Sequence, residues 1–436
     1  MWEFRNLINS NTLPPKLIGY EISSRAAFLS IAAIFLSPLL SVIFLTSWNG
    51  NFSDWQTVAR LFFLPALYGE IALCIVALAI GLNLVQSFRK LLVSAKIILG
   101  LWLFVLCGAT ILADANQPVA ILGAGFWLVH AMTFAAVVYL IRQAGLEHLR
   151  LEKLAVMLPL AAAAAGFTIY IFANVKGLDG DVDWISFLPA YAHIRHTGYI
   201  FAPALAVSLA HLAAKPGELE KTHLMLLTIN SALMLWLGSR GPVFGILTAL
   251  MICMICFPAM RSVRFVTRAG IAGTAGAILS LLAPLPQHGA FGAIQRFWSG
   301  SADPSAFSSG RLNFWIETVD LIWQRPLLGH GSLQFQFVST NAGGIYKHPH
   351  DSILQLLFDW GIIGGGAFLA MIALLIHMAF FKAKAPPYVK LVCAMGFATM
   401  CVFSLIDGLF FYAYPIAVSM IFLALPIATG FSERQT

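Results

Sequence analysis

The chain has 436 residues, of which 59% are hydrophobic and 10% are charged. A typical soluble domain carries about 25% charged residues, so this composition excludes a water-soluble globular protein and predicts a polytopic membrane protein. We attribute the formal net charge of +7 to membrane topology rather than to nucleic-acid binding. All six cysteines lie in apolar runs, which argues against a disulfide framework and a zinc site.

The predicted elements are membrane-spanning helices. The N-terminal stretch lacks a short apolar core followed by a small-residue cleavage site, so the first span is expected to be an uncleaved anchor. Apolar runs of about 17 to 25 residues can cross roughly 30 Å of hydrocarbon and predict about twelve spans in an all-α fold. They lie near residues 26–47, 61–84, 97–113, 118–141, 154–174, 197–213, 223–238, 242–260, 269–286, 352–380, 391–411 and 414–431.

The distribution of lysine and arginine predicts the orientation. With both termini in the cytoplasm, 18 of the 26 basic residues fall on the cytoplasmic side, as the positive-inside rule expects. Six of the other eight are arginines, whose planar donor groups bind phosphate oxygens in pairs, so the outer face is predicted to bind an anion. These eight residues are Arg60, Lys176, Arg195, Arg240, Arg296, Arg311, Arg325 and Lys347.

A long hydrophilic segment, residues 287–351, separates the predicted ninth and tenth spans. We interpret it as a periplasmic loop inserted into a single transmembrane domain of residues 1–436. It contains a helix signal that starts at Ser308 or Ser309 and ends before Pro326. The apolar face of this helix is expected to lie along the membrane interface or on the bundle; it comprises Leu312, Trp315, Ile316, Val319, Ile322 and Trp323.

Two short motifs place arginines beside predicted helix starts. In GSRGP, Gly238 and Gly241 let the backbone approach an anion, and Arg240 with Ser239 would bind it at the start of the next helix. Arg195 lies similarly in HIRHTGYIF. The alternative is that both arginines only reach the membrane interface as anchors. We interpret Arg296 and Arg325 as surface charges.

The stretch KHPHDSILQLLFDWGIIGG points to a general base. Asp351 or Ser352 would cap the helix, with Ser352 and Gln355 in a capping box, and the positive helix end would keep His350 neutral. A loop histidine that bonds the backbone is the simpler alternative. A metal site at His348 and His350 is less favoured, because two ligands are too few.

Three ionisable residues lie in or near spans: Glu70, Asp359 and Asp407. Such groups are usually paired or functional. Asp359 lies about 13 Å along a helix from His350, so we expect it to support an arginine or a helix contact rather than to touch His350.

Taken in order, these motifs resemble the O-antigen ligase and polymerase superfamily. They are the S-R-G turn, an outer G-R-x-x-x-W helix followed by P-L-L-G-x-G, and an H-x-H-D-x-x-L-Q entry into the next helix, where the family more often has His-Asn than His-Asp. The resemblance covers about residues 195–407. It implies a GT-C-like membrane fold and action on glycans linked to undecaprenyl pyrophosphate, at the periplasmic face of the Gram-negative inner membrane.

The resemblance and the residues together predict an inverting, metal-independent glycosyltransferase without a cofactor. His350 would be the base, and Arg195, Arg240 and Arg311 would bind the pyrophosphate, supported by His348, Asp351, Ser239 and Asp359. The acceptor would be the lipid A core, as in O-antigen ligases; the length of the chain and the compact loop favour this assignment. The alternatives are an O-antigen polymerase, a protein O-oligosaccharyltransferase and, from another class, a twelve-helix transporter of an anionic solute.

Overall fold

The computed structural model describes residues 15–47, 51–144, 150–177, 188–215, 217, 219–287, 290–298, 311–344 and 346–430, with side chains from residue 23 onward. Every regular element within these ranges is helical, which confirms the all-α prediction. The first nine helices are α1 (Pro15–Phe35), α2 (Ser37–Leu45), α3 (Asp54–Phe62), α4 (Leu64–Ile80), α5 (Leu84–Arg89), α6 (Val93–Ile111), α7 (Gln117–Ala144), α8 (Leu151–Lys176) and α9 (His196–Ala214). The next nine are α10 (Glu220–Trp236), α11 (Gly241–Cys256), α12 (Val263–Leu282), α13 (Ala293–Trp298), α14 (Arg311–Gln324), α15 (Phe335–Val338), α16 (Ser352–Ile376), α17 (Pro387–Ser404) and α18 (Ala413–Gly430).

Eight helices in the described ranges are long and apolar enough to cross a membrane, namely α6, α7, α8, α9, α12, α16, α17 and α18. Two bent pairs, α1 with α2 (55°) and α3 with α4 (73°), raise the count to ten. These ten account for all but two of the twelve predicted spans. The two remaining predicted spans correspond to α10 and α11, which have only 17 and 16 residues because the chain turns between them.

Helices α9 and α18 form the centre of the bundle. Both are buried along almost their whole length. Helix α9 packs against α8, α10, α11 and α17, and α18 packs against α4, α7 and α17. Arg195 directly precedes α9, and Tyr412 directly precedes α18, so the central packing fixes both residues.

Helix α14 confirms the helix predicted in the long segment, whereas its predicted cap, Ser308 or Ser309, lies outside the described residues. The predicted apolar face was expected along the membrane interface or on the bundle, and most of it does not pack on the bundle. Only Ile322 of that face is buried; the other buried side chains are Phe314, Thr318 and Leu321, because α14 lies on α16 through this face. The side chains of Leu312, Ile316, Val319 and Trp323 are exposed.

The P-L-L-G-x-G segment closes a break in α16. At Gly361 the backbone leaves the helical conformation, with φ 62° and ψ −174°, and nearby peptide groups lose their partners within the helix. The segment that follows α14 supplies replacements. The hydrogen bonds run from Ile362 N to Pro326 O (2.7 Å), from His330 N to Phe358 O (2.9 Å) and from Gly331 N to Asp359 O (2.9 Å). This junction ties α14 to α16.

We expect Gly361→Ala to destabilise the protein by about 1 to 3 kcal/mol, the usual cost of forcing a side chain into a strained backbone region. A Cβ at Gly361 would lie 2.5 Å from the backbone of Leu327. The matched control is Gly366→Ala in the same helix, where an added Cβ meets no atom within 4 Å. The measurement is the thermal unfolding midpoint in detergent; equal midpoints for the two variants would contradict the role of the break.

Candidate active site

Three parts of the chain meet at one end of the bundle. His350 lies just before α16, Arg311 is the first residue of α14, and Asp407 lies in the turn between α17 and α18. His350 has φ 59°, a strained value for a residue with a side chain. Strain of this kind persists only where the surrounding contacts enforce it, and here those contacts include the hydrogen bond to Asp407.

Asp407 is the hub of this cluster. Its Oδ1 accepts hydrogen bonds from Nδ1 of His350 (3.1 Å) and from N of Gly408 (2.9 Å). Its Oδ2 accepts from Nη2 of Arg311 (3.3 Å), whose Nη1 donates to the Ile406 carbonyl. Burial by itself raises the pKa of the Asp407 carboxyl, but the charge of Arg311 and the hydrogen bond from His350 hold that pKa well below its usual value. Asp407 is therefore an anion.

The anion determines the tautomer of His350. A carboxylate only accepts hydrogen bonds, so neutral His350 carries its proton on Nδ1 and presents the lone pair of Nε2. This Nε2 makes no hydrogen bond within the described part of the chain, and the side chain is 12% exposed. Burial lowers the pKa of His350, and Asp407 only partly opposes this effect. The ring is thus neutral near pH 7 and can accept a proton.

His348 has both ring nitrogens occupied. Its Nδ1 accepts from N of His350 (3.2 Å), so the proton is on Nε2, which bonds the Tyr412 hydroxyl (3.0 Å). The same hydroxyl bonds Nε2 of His196 (2.9 Å). The side chain of His348 is almost fully buried, and burial holds its pKa well below the usual value. This arrangement supports the position of His350 and leaves His348 without a free lone pair.

The helix start after His350 matches one of the two predicted caps. Oδ1 of Asp351 accepts from N of Leu354 (2.8 Å). The predicted Ser352–Gln355 capping box is not formed, because Ser352 Oγ accepts from Phe410 N (3.4 Å) and Gln355 turns towards Asp359.

Asp359 lies away from the cluster. Its Oδ1 accepts from Nε2 of Gln355 at 2.9 Å, and both residues are buried in α16. Of the two expected roles of Asp359, pairing with an arginine is not seen among the described residues, and the hydrogen bond from Gln355 one helical turn away fits the other, a contact within the helices. Glu70, the other acidic residue predicted within a span, contacts Nδ1 of His130 through its Oε1 (2.9 Å) in the interior of the helix bundle.

The predicted arginines lie close enough to affect one another. Burial lowers the pKa of Arg240, and the charges of Arg195 and Arg311 lower it further. The charges of Arg311 and Arg195 also act on His350. Arg195 and Ser239 line one cavity, whereas the guanidinium carbon of Arg240 lies 6.0 Å from the ring centre of Phe297. One end of the bundle therefore carries a concentrated positive charge.

Several members of the site were missed from the sequence. Asp407 was noted only as an ionisable residue near a span, and Tyr412 gave no signal. Arg296 was assigned to the surface, but it is half-buried and donates to Gly238 O (3.0 Å). Arg325, also assigned to the surface, is partly exposed; it pairs with Asp114 and donates to Leu112 O (3.1 Å).

His348, His350 and Asp407 are also spaced as metal ligands, with one donor atom of each within 4.8 Å of the others. Their electrostatic setting does not suit a cation. Arg311 already pairs with Asp407, and its charge would repel a metal ion at this position. The residues thus fit a metal site in spacing but not in charge.

The fold and the cluster define a polytopic membrane protein with a neutral, oriented histidine beside a group of arginines suited to an anionic substrate. Residues 224–369, about a third of the chain, match the Wzy_C family, described as O-antigen ligase. This segment is thus similar to O-antigen ligases, and enzymes of that family transfer lipid-linked glycans. It contains Ser239, Arg240, Arg311 and His350, but neither Arg195 nor Asp407. A comparison with curated proteins finds no match.

Proposed function

We propose that this protein is an O-antigen ligase of the Gram-negative inner membrane. It would transfer a glycan from undecaprenyl pyrophosphate to a sugar hydroxyl of the lipid A core at the periplasmic face. The observation that carries this proposal is the free Nε2 of His350, oriented by Asp407 and placed beside Arg195, Arg240 and Arg311. The family match of residues 224–369 supports the lipid-linked glycan as donor.

In the proposed reaction, Nε2 of His350 takes the proton of the acceptor hydroxyl as its oxygen attacks the anomeric carbon of the donor sugar. The bond between that carbon and the phosphate oxygen breaks, and its electron pair leaves with the isoprenyl pyrophosphate. Attack opposite the leaving group inverts the anomeric configuration. The imidazolium that forms is stabilised by the Asp407 carboxylate, as in other histidine–carboxylate pairs.

The arginines supply the positive field for the departing pyrophosphate. Their roles differ. Both Nη groups of Arg311 are occupied by Ile406 O and Asp407, so this residue acts through its charge and through the position of Asp407. Arg195, whose side chain makes no hydrogen bond to another described residue, and Arg240 are the direct ligands of this proposal.

The choice of ligase over polymerase rests on the compact loop before α16. Because His350 and the arginines gather at one end of the bundle rather than at its middle, surface chemistry fits better than transport of an anionic solute. The excess of lysine and arginine, 18 of 26, in the segments assigned to the cytoplasm supports the periplasmic position.

A reconstituted assay tests this function. The purified protein, in liposomes with a glycan on undecaprenyl pyrophosphate, is expected to modify lipid A core and to leave a lipid-linked repeat unit and a peptide unmodified. Transfer should persist with EDTA, since arginines rather than a metal ion stabilise the leaving group. Transfer to the repeat unit or the peptide alone would assign the polymerase or protein-glycosylating activity, and uptake of an anionic solute without transfer would support the transporter.

A further inference from the structure

A cavity of about 70 Å³ lies beside the S-R-G turn, next to the histidine cluster. Its polar lining consists of His193, Arg195, Ser239 and Arg296. A single water needs roughly 10 to 15 Å³ of such space, so the cavity has room for a group of several heavy atoms. Its size and cationic lining suit a tetrahedral anion such as a phosphate group.

The Ser239 hydroxyl is the clearest sign of a missing ligand. The residue is 6% exposed, and its Oγ has no hydrogen-bond partner among the described residues. Leaving a buried hydroxyl unpaired is costly, so such groups are normally satisfied by protein, water or a ligand. Ser239 lines a cavity that two arginines also line.

Arg296 is held in place on one side and free on the other. Its Nη1 donates to Gly238 O (3.0 Å) and to Ala290 O (3.1 Å). Gly238 has φ 81°, and a Cβ there would lie 1.9 Å from Ala290 O, so the turn and the segment before α13 are in direct contact. The remaining nitrogens of Arg296 make no hydrogen bond within the described ranges, and neither Arg296 nor Arg195 is in an ion pair there.

The cavity is close to His350 but does not adjoin it. The ring centres of His193 and His196 are 5.8 Å apart, His196 and His348 share the Tyr412 hydroxyl, and the ring centres of His348 and His350 are 4.5 Å apart. The reacting sugar carbon must lie beside His350. Of the two phosphates of the donor, the one joined to the sugar therefore lies nearer to His350. The phosphate joined to the lipid lies further from His350, along the positively charged end of the bundle.

We propose that this cavity binds the lipid-side phosphate of the donor, with Arg195, Arg296 and Ser239 as its ligands. The proposal rests on the proposed function for the identity of the donor. In this proposal the phosphate joined to the sugar is bound by Arg240 and stabilised by the charge of Arg311. It also adds Arg296 and Ser239 Oγ as determinants of the preference for a pyrophosphate over a monophosphate.

A binding experiment tests this subsite without requiring transfer. The full chain, in nanodiscs of phosphatidylcholine, is titrated with isoprenyl pyrophosphate and with isoprenyl monophosphate. Because a hydrogen bond to a charged group corresponds to about 10- to 100-fold in affinity, Ser239→Ala and Arg296→Gln should each weaken pyrophosphate binding at least about tenfold. Binding of the monophosphate, which can occupy the Arg240 side alone, should change much less.

Two matched controls separate this role from a loss of folding. Ser208→Ala removes another buried hydroxyl without a described partner, in the middle of α9, and Arg89→Gln removes an exposed arginine. Both should bind the two probes as the wild type does. Arg296→Lys keeps a donor for Gly238 O, so it should restore the thermal midpoint without restoring the preference for pyrophosphate.

Unchanged pyrophosphate affinity in both Ser239→Ala and Arg296→Gln would overturn the proposal. So would displacement of the probe by phosphatidylglycerol at equal concentration, which would make the cavity a lipid-headgroup site. If pyrophosphate binding depends on Ser239 and Arg296 but no glycan is transferred, the subsite stands and the proposed function fails.

Discussion

His350→Ala is expected to reduce glycan transfer by about 10²- to 10⁴-fold, the usual contribution of a general base. The acceptor hydroxyl would lose the only group of the cluster with a free, oriented lone pair, the Nε2 of His350. The measurement is the initial rate of transfer in proteoliposomes, at matched protein content and with the donor in excess. Affinity for isoprenyl pyrophosphate should stay within a few-fold of the wild type, since the histidine does not bind the leaving group.

Two variants make this prediction specific. His377→Ala removes an exposed histidine at the far end of the same membrane helix and should leave the rate unchanged. His348→Ala should lower the rate less than His350→Ala, because His348 acts through the position of its neighbour. A fully active His350→Ala protein, or a larger loss in His348→Ala, would show that the base has been misassigned.

Asp407→Asn is expected to lower the rate by about 10²- to 10⁴-fold, through the orientation of His350 rather than through the substrate. An amide can donate to Nδ1, so the proton of the imidazole would no longer be confined to that nitrogen. Arg311 would also lose its buried counter-ion, which lowers stability. Unfolding and transfer are therefore measured on the same preparation.

The pH profile of the transfer rate distinguishes an effect of Asp407 on His350 from a general loss of folded protein. In the wild type, burial lowers the pKa of His350, so the rate should fall only as the pH drops below about 6.5, the ordinary histidine value. Burial lowers the pKa of His350, Asp407 raises it, and Arg311 and Arg195 lower it; removal of the Asp407 charge should therefore move this acid limb to lower pH. In Asp407→Asn the transfer rate on the plateau should therefore be lower, and the acid limb should lie at lower pH.

Glu70→Gln is the matched control for Asp407→Asn. It replaces another buried acidic side chain that bonds a histidine, His130, within the bundle. We expect lower thermal stability but an unchanged acid limb. An unchanged limb in Asp407→Asn as well would refute a direct effect of this carboxylate on His350.

Much of the fold was accessible from hydropathy because the bilayer imposes a length on every span. Within the described ranges, the predicted runs all coincide with helices or bent pairs, although α10 and α11 are too short to count as spans by length. The sequence left open whether the apolar face of α14 lies along the membrane interface or on the bundle, because periodicity identifies an apolar stripe but not its neighbour. Phe314 and Leu321 are buried because α16 happens to lie on that side.

Some residues of the candidate site could be identified from local sequence, whereas others depend on tertiary contacts. His350, Arg240 and Arg195 could be identified because each stands beside a predicted helix start, within motifs of recognisable spacing. Asp407 is 57 residues from His350, and the bond between them depends on how α16, α17 and α18 pack. Arg296 was assigned to the surface because its contact with Gly238 crosses 58 residues.

The sequence alone determined the class of protein, the approximate spans and the motifs that contain the candidate base and the candidate arginines. These properties depend on local composition and on the thickness of a membrane. The tertiary structure decided which histidine has a free nitrogen, because the lone pair of His348 is occupied by the His350 backbone and the proton of His350 by Asp407. It also decided which arginines remain available to a ligand, since hydrogen bonds between distant segments occupy Arg311 but not Arg195.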